Sequence, residues 1–165
     1  SLVFGGDPAN KTNTESFNGS WTNTGNLNTG QSNNAGSGSQ DRALSMGGQG
    51  ASSVVERYTT GTWTAVQSLN TGRQDMAAAG DESNGPSIVF GGQDASPAVT
   101  GATELWNGSN AWTTGNSMAT ARKSLAGSIA SPATAALAAG GSPLTAGATV
   151  EVWAPGGGTF TLTTT

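Results

Sequence analysis

The stretch ATELWNGSNAW, residues 102–112, places Glu104 two residues before Trp106 and eight before Trp112, around an Asn-Gly-Ser turn. A carboxylate between two indoles has three chemical readings. It can be a catalytic acid in an aromatic cleft, the polar partner of a sugar platform, or an architectural group. The chain contains neither histidine nor cysteine. That removes the commonest acid–base at neutral pH, the base of Ser–His and Cys–His triads, thiolate metal sites and disulfides. No Asp-x-Asp-x-Asp-Gly calcium loop occurs. Paired carboxylates of the glycosidase kind stay open, and the acids outside the Glu-x-aromatic motif that could form them are Asp7, Asp75, Asp81, Glu82 and Asp94. Solvated turn acids are their simpler reading. The sequence implies no cofactor and no metal.

Repetition decides among the readings of Glu104. TESFNGSW ends at Trp21, VERYTTGTW at Trp63, TELWNGSNAW at Trp112 and VEVWAPGGGTF at Phe160. Each holds a Glu, one residue, an aromatic, a Gly-containing turn and a second aromatic. Upstream of each, an apolar run closes on two glycines: LVFGG at Gly6, ALSMGG at Gly48, IVFGG at Gly92 and ALAAGG at Gly141. The glycine pairs recur at 42, 44 and 49 residues, the second aromatics at 42, 49 and 48. Six residues past Trp21, Trp63 and Trp112 stand Leu27, Leu69 and Met118, which open LNTGQ, LNTGR and MATAR and lead into small-residue runs. Glu104 is therefore one of a set with Glu15, Glu56 and Glu151. A catalytic acid is rarely needed four times over, so recurrence favours architecture.

The elements that position these residues follow from the same pattern. Leu, Ile, Val and Phe make up about 14% of the 165 residues, yet the net charge is only −4. Low charge argues against disorder, and Thr, Asn and Gly suit short strands and tight turns. Each unit reads as four strands: a small-residue strand a, a strand b closed by Gly-Gly, the Glu-x-aromatic strand c, and a strand d opened by the second aromatic. Asn-Gly and Thr-Gly between c and d are hairpin signals. Units of this length with four strands predict an all-β propeller of four-stranded antiparallel blades, with strand a innermost and the aromatics filling the wedge between sheets. The whole chain, 1–165, reads as one propeller segment, with repeats at 1–26, 27–68, 69–117 and 118–165. The first unit reads b-c-d, so its blade lacks the innermost strand. This leads to the expectation that the chain is part of a larger propeller, or that a second copy completes the ring.

Gly-Gly closing a strand, then Glu-x-aromatic, then Trp after a turn, then an Arg-bearing segment resembles the kelch repeat family, over nearly the whole chain. Gln31, where Arg73 and Arg122 occupy the equivalent positions, and Phe160 in place of Trp depart from the pattern. The Thr-, Asn- and Gly-rich flavour is similar to kelch-like repeat proteins of phage particles and environmental sequences. Among kelch propellers the galactose-oxidase branch needs copper on Tyr and His beside a Cys–Tyr crosslink, which a chain with one Tyr and no Cys or His cannot supply.

The resemblance implies a non-enzymatic structural, adhesive or binding role, at a virion surface or outside the cell. A kelch-type protein-interaction module is the alternative, and a glycan-binding or glycan-active propeller the next. The b–c and d–a connections are expected at one end of the ring, where Asp7, Gln49, Arg73, Asp94 and Arg122 are candidates for a binding face. Partners would be a protein, further copies or blades of the same polypeptide, or a glycan. Arg73 and Arg122 have a second reading, pairing with the repeated Glu or capping backbone carbonyls. The five tryptophans read as wedge filler. The acidic balance supplies no basic stripe for nucleic acid, and no apolar run approaches the ~20 residues of a membrane-spanning helix. Asn10, Asn18 and Asn107 match the glycosylation pattern, as chance would produce in so Asn- and Thr-rich a chain.

Overall fold

The computed structural model describes residues 1–81, 85–128, 133–143 and 150–154, and the backbone of 160–162. Every helix or strand element among them is a β-strand. The first sheet is β1 (Leu2–Phe4), β2 (Thr14–Phe17) and β3 (Trp21–Asn23). The second runs β4 (Ala35–Gly38), β5 (Arg42–Met46), β6 (Val55–Thr59) and β7 (Thr62–Ala65). The third is β8 (Ala77–Gly80), β9 (Ser87–Phe90), β10 (Thr103–Trp106) and β11 (Trp112–Gly115). The fourth is β12 (Ala126–Gly127), β13 (Ala136–Ala139), β14 (Val150–Trp153) and β15 (Phe160–Leu162). Within each sheet every strand pairs antiparallel with the next in the chain, so every sheet is a simple meander.

The register makes the sheets equivalent. Glu15 faces Val3 across the ladder, Glu56 faces Ser45, Glu104 faces Val89 and Glu151 faces Ala138. Because side chains alternate between faces, each of the first three sheets has one face carrying the Glu and both aromatics. The second face carries Leu2 and Phe4, Leu44 and Met46, or Ile88 and Phe90. In the fourth sheet Glu151 and Trp153 share a face, but Phe160 pairs with Val152, one place out of the register expected for a second aromatic. The second kind of face packs on the first kind of the next sheet. Leu2 and Phe4 meet Tyr58 and Trp63. Leu44 and Met46 meet Trp106 and Trp112. Ile88 and Phe90 meet Trp153. The core is thus divided into one cluster per junction, which is how so few aliphatics suffice: each indole buries roughly 200 Å². The small-residue strands β4, β8 and β12 are neighbours, β8 lying against the other two.

The glycine pairs have one geometric cause. Gly47 and Gly91 have φ of +63° and +70°, and a Cβ on either would stand 2.5 or 2.6 Å from the carbonyl oxygen of Arg73 or Arg122. The next glycine donates its N–H to that same carbonyl, Gly48 to Arg73 at 3.0 Å and Gly92 to Arg122 at 2.8 Å. A side chain here would force the joint between consecutive sheets apart. Gly6 repeats the bond with Gln31 at 2.8 Å, so the joint does not depend on the arginine side chain.

Candidate functional site

Three of the four repeated carboxylates are buried. Glu56, Glu104 and Glu151 are nearly inaccessible, held by the connection that leads into the small-residue strand of their own sheet. Glu56 accepts the backbone N–H of Asn28 and Thr29, both at 2.8 Å, and the Asn28 side-chain amide at 2.8 Å. Glu104 accepts the N–H of Asn70 at 2.7 Å and Thr71 at 3.2 Å, and an ion pair from Arg73. Glu151 accepts the N–H of Ala119 at 2.7 Å and Thr120 at 3.2 Å, and Arg122 at 2.6 Å. Each arginine spends a second nitrogen on carbonyls: Arg73 on Ala102 at 2.7 Å, Arg122 on Gly140 at 3.1 Å. Two backbone donors around one carboxylate, with or without a guanidinium, form a structural clamp. These oxygens are already occupied by donors of their own connection.

Arg73 and Arg122 are therefore inside the protein, and of their two readings the geometry has pairing with Glu and capping of carbonyls. Asn28 and Asn70 are residues whose part was not read from the sequence. Their side-chain amides donate to the carbonyls of Trp63 at 3.0 Å and Trp112 at 3.3 Å, tying the clamp to the outer strand. The repeated LNTG was the available signal. Trp63, Trp106, Trp112 and Trp153 are buried in the clusters between sheets. Trp21 is 52% exposed, because no described sheet lies on its side. Glu15, equivalent in register, is exposed for the same reason.

The other candidates lie in the b–c connections. Asp7 and Gln49 are exposed, and Asp94 is partly so. A polar belt joins these loops to the connections of the following sheet. Ser32 Oγ lies 2.6 Å from Asn10 Oδ1 and 3.2 Å from Gln49 Oε1. Gln74 Oε1 accepts the Gly50 N–H at 2.9 Å, Gln74 and Gln93 exchange backbone bonds, and Lys123 donates to Gln93 Oε1 at 2.7 Å. Gln49 belongs to this belt, whereas the Asp94 carboxylate is bonded within its own turn. Glu82, the 144–147 part of the last loop and the Phe160 side chain lie outside the described residues.

Asp94 closes its own turn. Its Oδ1 accepts Ser96 Oγ at 2.7 Å, Ser96 N–H at 2.9 Å and Ala98 N–H at 3.2 Å. The Ser96 hydroxyl, helped by these backbone donors, holds the carboxyl below its ordinary value. A carboxyl that titrates lower when folded favours the turn while ionised, and this contribution is lost as pH falls through the lowered value. Ser96→Ala is expected to raise the Asp94 titration midpoint, read by carboxyl-carbon NMR; an unmoved midpoint would refute the assignment. Asn107, one of the glycosylation matches, does similar turn work, its Oδ1 accepting the N–H of Ser109, Asn110 and Ala111 at 2.9–3.1 Å.

Among the described residues no group of three or more acids could hold a metal ion, and no helix is long and apolar enough to cross a membrane. A groove of about 530 Å³ runs beside β1 and is lined by Leu2, Phe4, Gly36, Ser37 and Ala43. No protein-family model matches the chain, and no curated protein matches it either.

Proposed function

We propose that this chain is a segment of a kelch-like β-propeller with a non-enzymatic structural or binding role in a surface assembly. The observation that carries this reading is the use of the repeated acids: Glu56, Glu104 and Glu151 are all consumed in clamps that hold each sheet to its own connection. Supporting it are the shared meander of the four sheets, the one-cluster-per-junction core and the adjacency of the small-residue strands, features that wedges around an axis require. A wall built this way presents loops and spare edges rather than a pocket with convergent reactive groups.

The test joins a cryo-EM reconstruction of the native particle or full polypeptide with a glycan array. Radial sheets within a large assembly, and no glycan signal, are expected. A two-layer sandwich would overturn the propeller. Saturable glycan binding lost in Asp94→Asn would replace the structural role with a glycan-directed one.

A further inference from the structure

Register equivalence lets the first sheet be compared with the others position by position, and three features stand bare in it that are covered elsewhere. Glu15 is exposed and accepts no hydrogen bond from a described residue, whereas its three equivalents are clamped. Strand β1 is paired on one side only, whereas β5, β9 and β13 each carry a small-residue strand on the other. Phe17 and Trp21 are 41% and 52% exposed, against 0% and 6% for Trp106 and Trp112.

In the third sheet one continuous stretch, residues 66–80, covers the carboxylate and the strand edge and borders the indoles, whose faces also meet Leu44 and Met46 of the second sheet. The Gln67 carbonyl accepts the Trp112 indole N–H at 2.9 Å, and Leu69 packs in the same cluster. Asn70 and Thr71 bind Glu104, and Arg73 joins that carboxylate to the carbonyls of Ala102 and Gly91. Ala77–Gly80 then pairs with β9. Asn13 and Gly5 hold the places of Ala102 and Gly91 in the first sheet, the Gly5 N–H donating to the Asn13 carbonyl at 3.0 Å as Gly91 does to Ala102 at 3.1 Å.

We propose that the first sheet is a docking site for one such donor segment: a Leu-x-x-x-Arg turn followed by four small residues, supplied by a further repeat of this kind. The three segments within the chain are each bound to their own sheets and cannot serve. The donor's turn N–H groups and guanidinium bind Glu15, a planar fork on a carboxylate with two carbonyls beside it. Its leucine packs beside Trp21, as Leu69 does in the cluster of Trp112. Its strand adds to β1 in the groove of about 530 Å³ between β1 and β4. Only small residues fit there: where β12 meets β8, a Cβ on Gly127 would stand 2.3 Å from the Ala78 carbonyl. The proposal rests on the equivalence of the sheets and holds whether or not they close into a ring.

The experiment adds a synthetic peptide of residues 66–80 to the 165-residue chain and follows binding by calorimetry and amide exchange. Saturable binding that slows exchange at Leu2–Phe4 is expected. Glu15→Gln in the protein, or Arg73→Ala in the peptide, should weaken binding about tenfold or more, the range of a charge-assisted bond. Glu15→Gln should leave the thermal midpoint of the free protein unchanged, since Glu15 is exposed. No binding, binding indifferent to Glu15→Gln, or unchanged exchange at β1 would each overturn the proposal. So would self-association that persists at saturating peptide, because a second copy would then own the face. None of these results bears on the radial arrangement, which the reconstruction tests separately.

Discussion

Glu104→Ala is expected to destabilise the protein by about 3–5 kcal/mol, the cost of removing one partner from a buried ion pair. Arg73, 1% exposed, would keep its carbonyl acceptors at Ala102 and Gly91 but lose its only counter-charge among the described residues. The N–H groups of Asn70 and Thr71 would lose their acceptor as well. For a chain of this size that corresponds to a fall of roughly 10 °C in thermal midpoint. Glu56→Ala is the internal control. Its carboxylate is equally buried but is held by N–H donors alone, with Gln31 standing where the arginine would be. Its loss bares no cation and should cost about 1–3 kcal/mol. Urea unfolding of both variants decides the matter: equal losses would mean that the guanidinium–carboxylate charge adds nothing beyond the shared backbone clamp. The double variant Arg73→Met with Glu104→Leu should recover much of the loss, since replacing both partners leaves no bare charge.

Trp106→Ala should cost a similar ~3–5 kcal/mol through a different mechanism, a cavity at the junction of the second and third sheets. Trp106 is fully buried, packs on Trp112 with ring centroids 5.2 Å apart, and shares its cluster with Leu44, Met46 and Val89. Its indole N–H has no partner among the described residues, so packing accounts for the whole effect. Trp106→Phe, which keeps a ring and removes an unsatisfied donor, should lose well under half as much. Trp21→Ala provides the contrast, because the Trp21 ring lies 5.1 Å from that of Phe17 and stands half in solvent. Its effect should stay within about 0.5 kcal/mol. Comparable losses for Trp21→Ala and Trp106→Ala would contradict the burial difference on which the docking face depends. Because Trp106 sits in the cluster between the second and third sheets, its lesion should show first as faster amide exchange in β5, β6, β9 and β10.

Much of the fold could be read from the chain because its signals are local. Period-two alternation, a glycine pair and an Asn-Gly or Thr-Gly turn each act within a few residues, and they place the strands that form the four meanders. Repetition added that Glu104 could not be judged alone. The identity of the clamp donors was less legible: LNTG recurs visibly, but that its backbone N–H groups close on the Glu of the following strand c depends on a contact across 27–34 residues.

Composition and spacing by themselves determined the strand sequence, the equivalence of the four glutamates in register, and the absence of thiol and imidazole chemistry. They treated Glu15 like Glu104 and Trp21 like Trp112, since local sequence carries no record of what lies across a sheet face. Only the tertiary structure decided that three carboxylates are sealed and one is bare, and that both arginines point inward. The physical reason is that burial belongs to the junction between two sheets, and a residue's own strand supplies just one side of it.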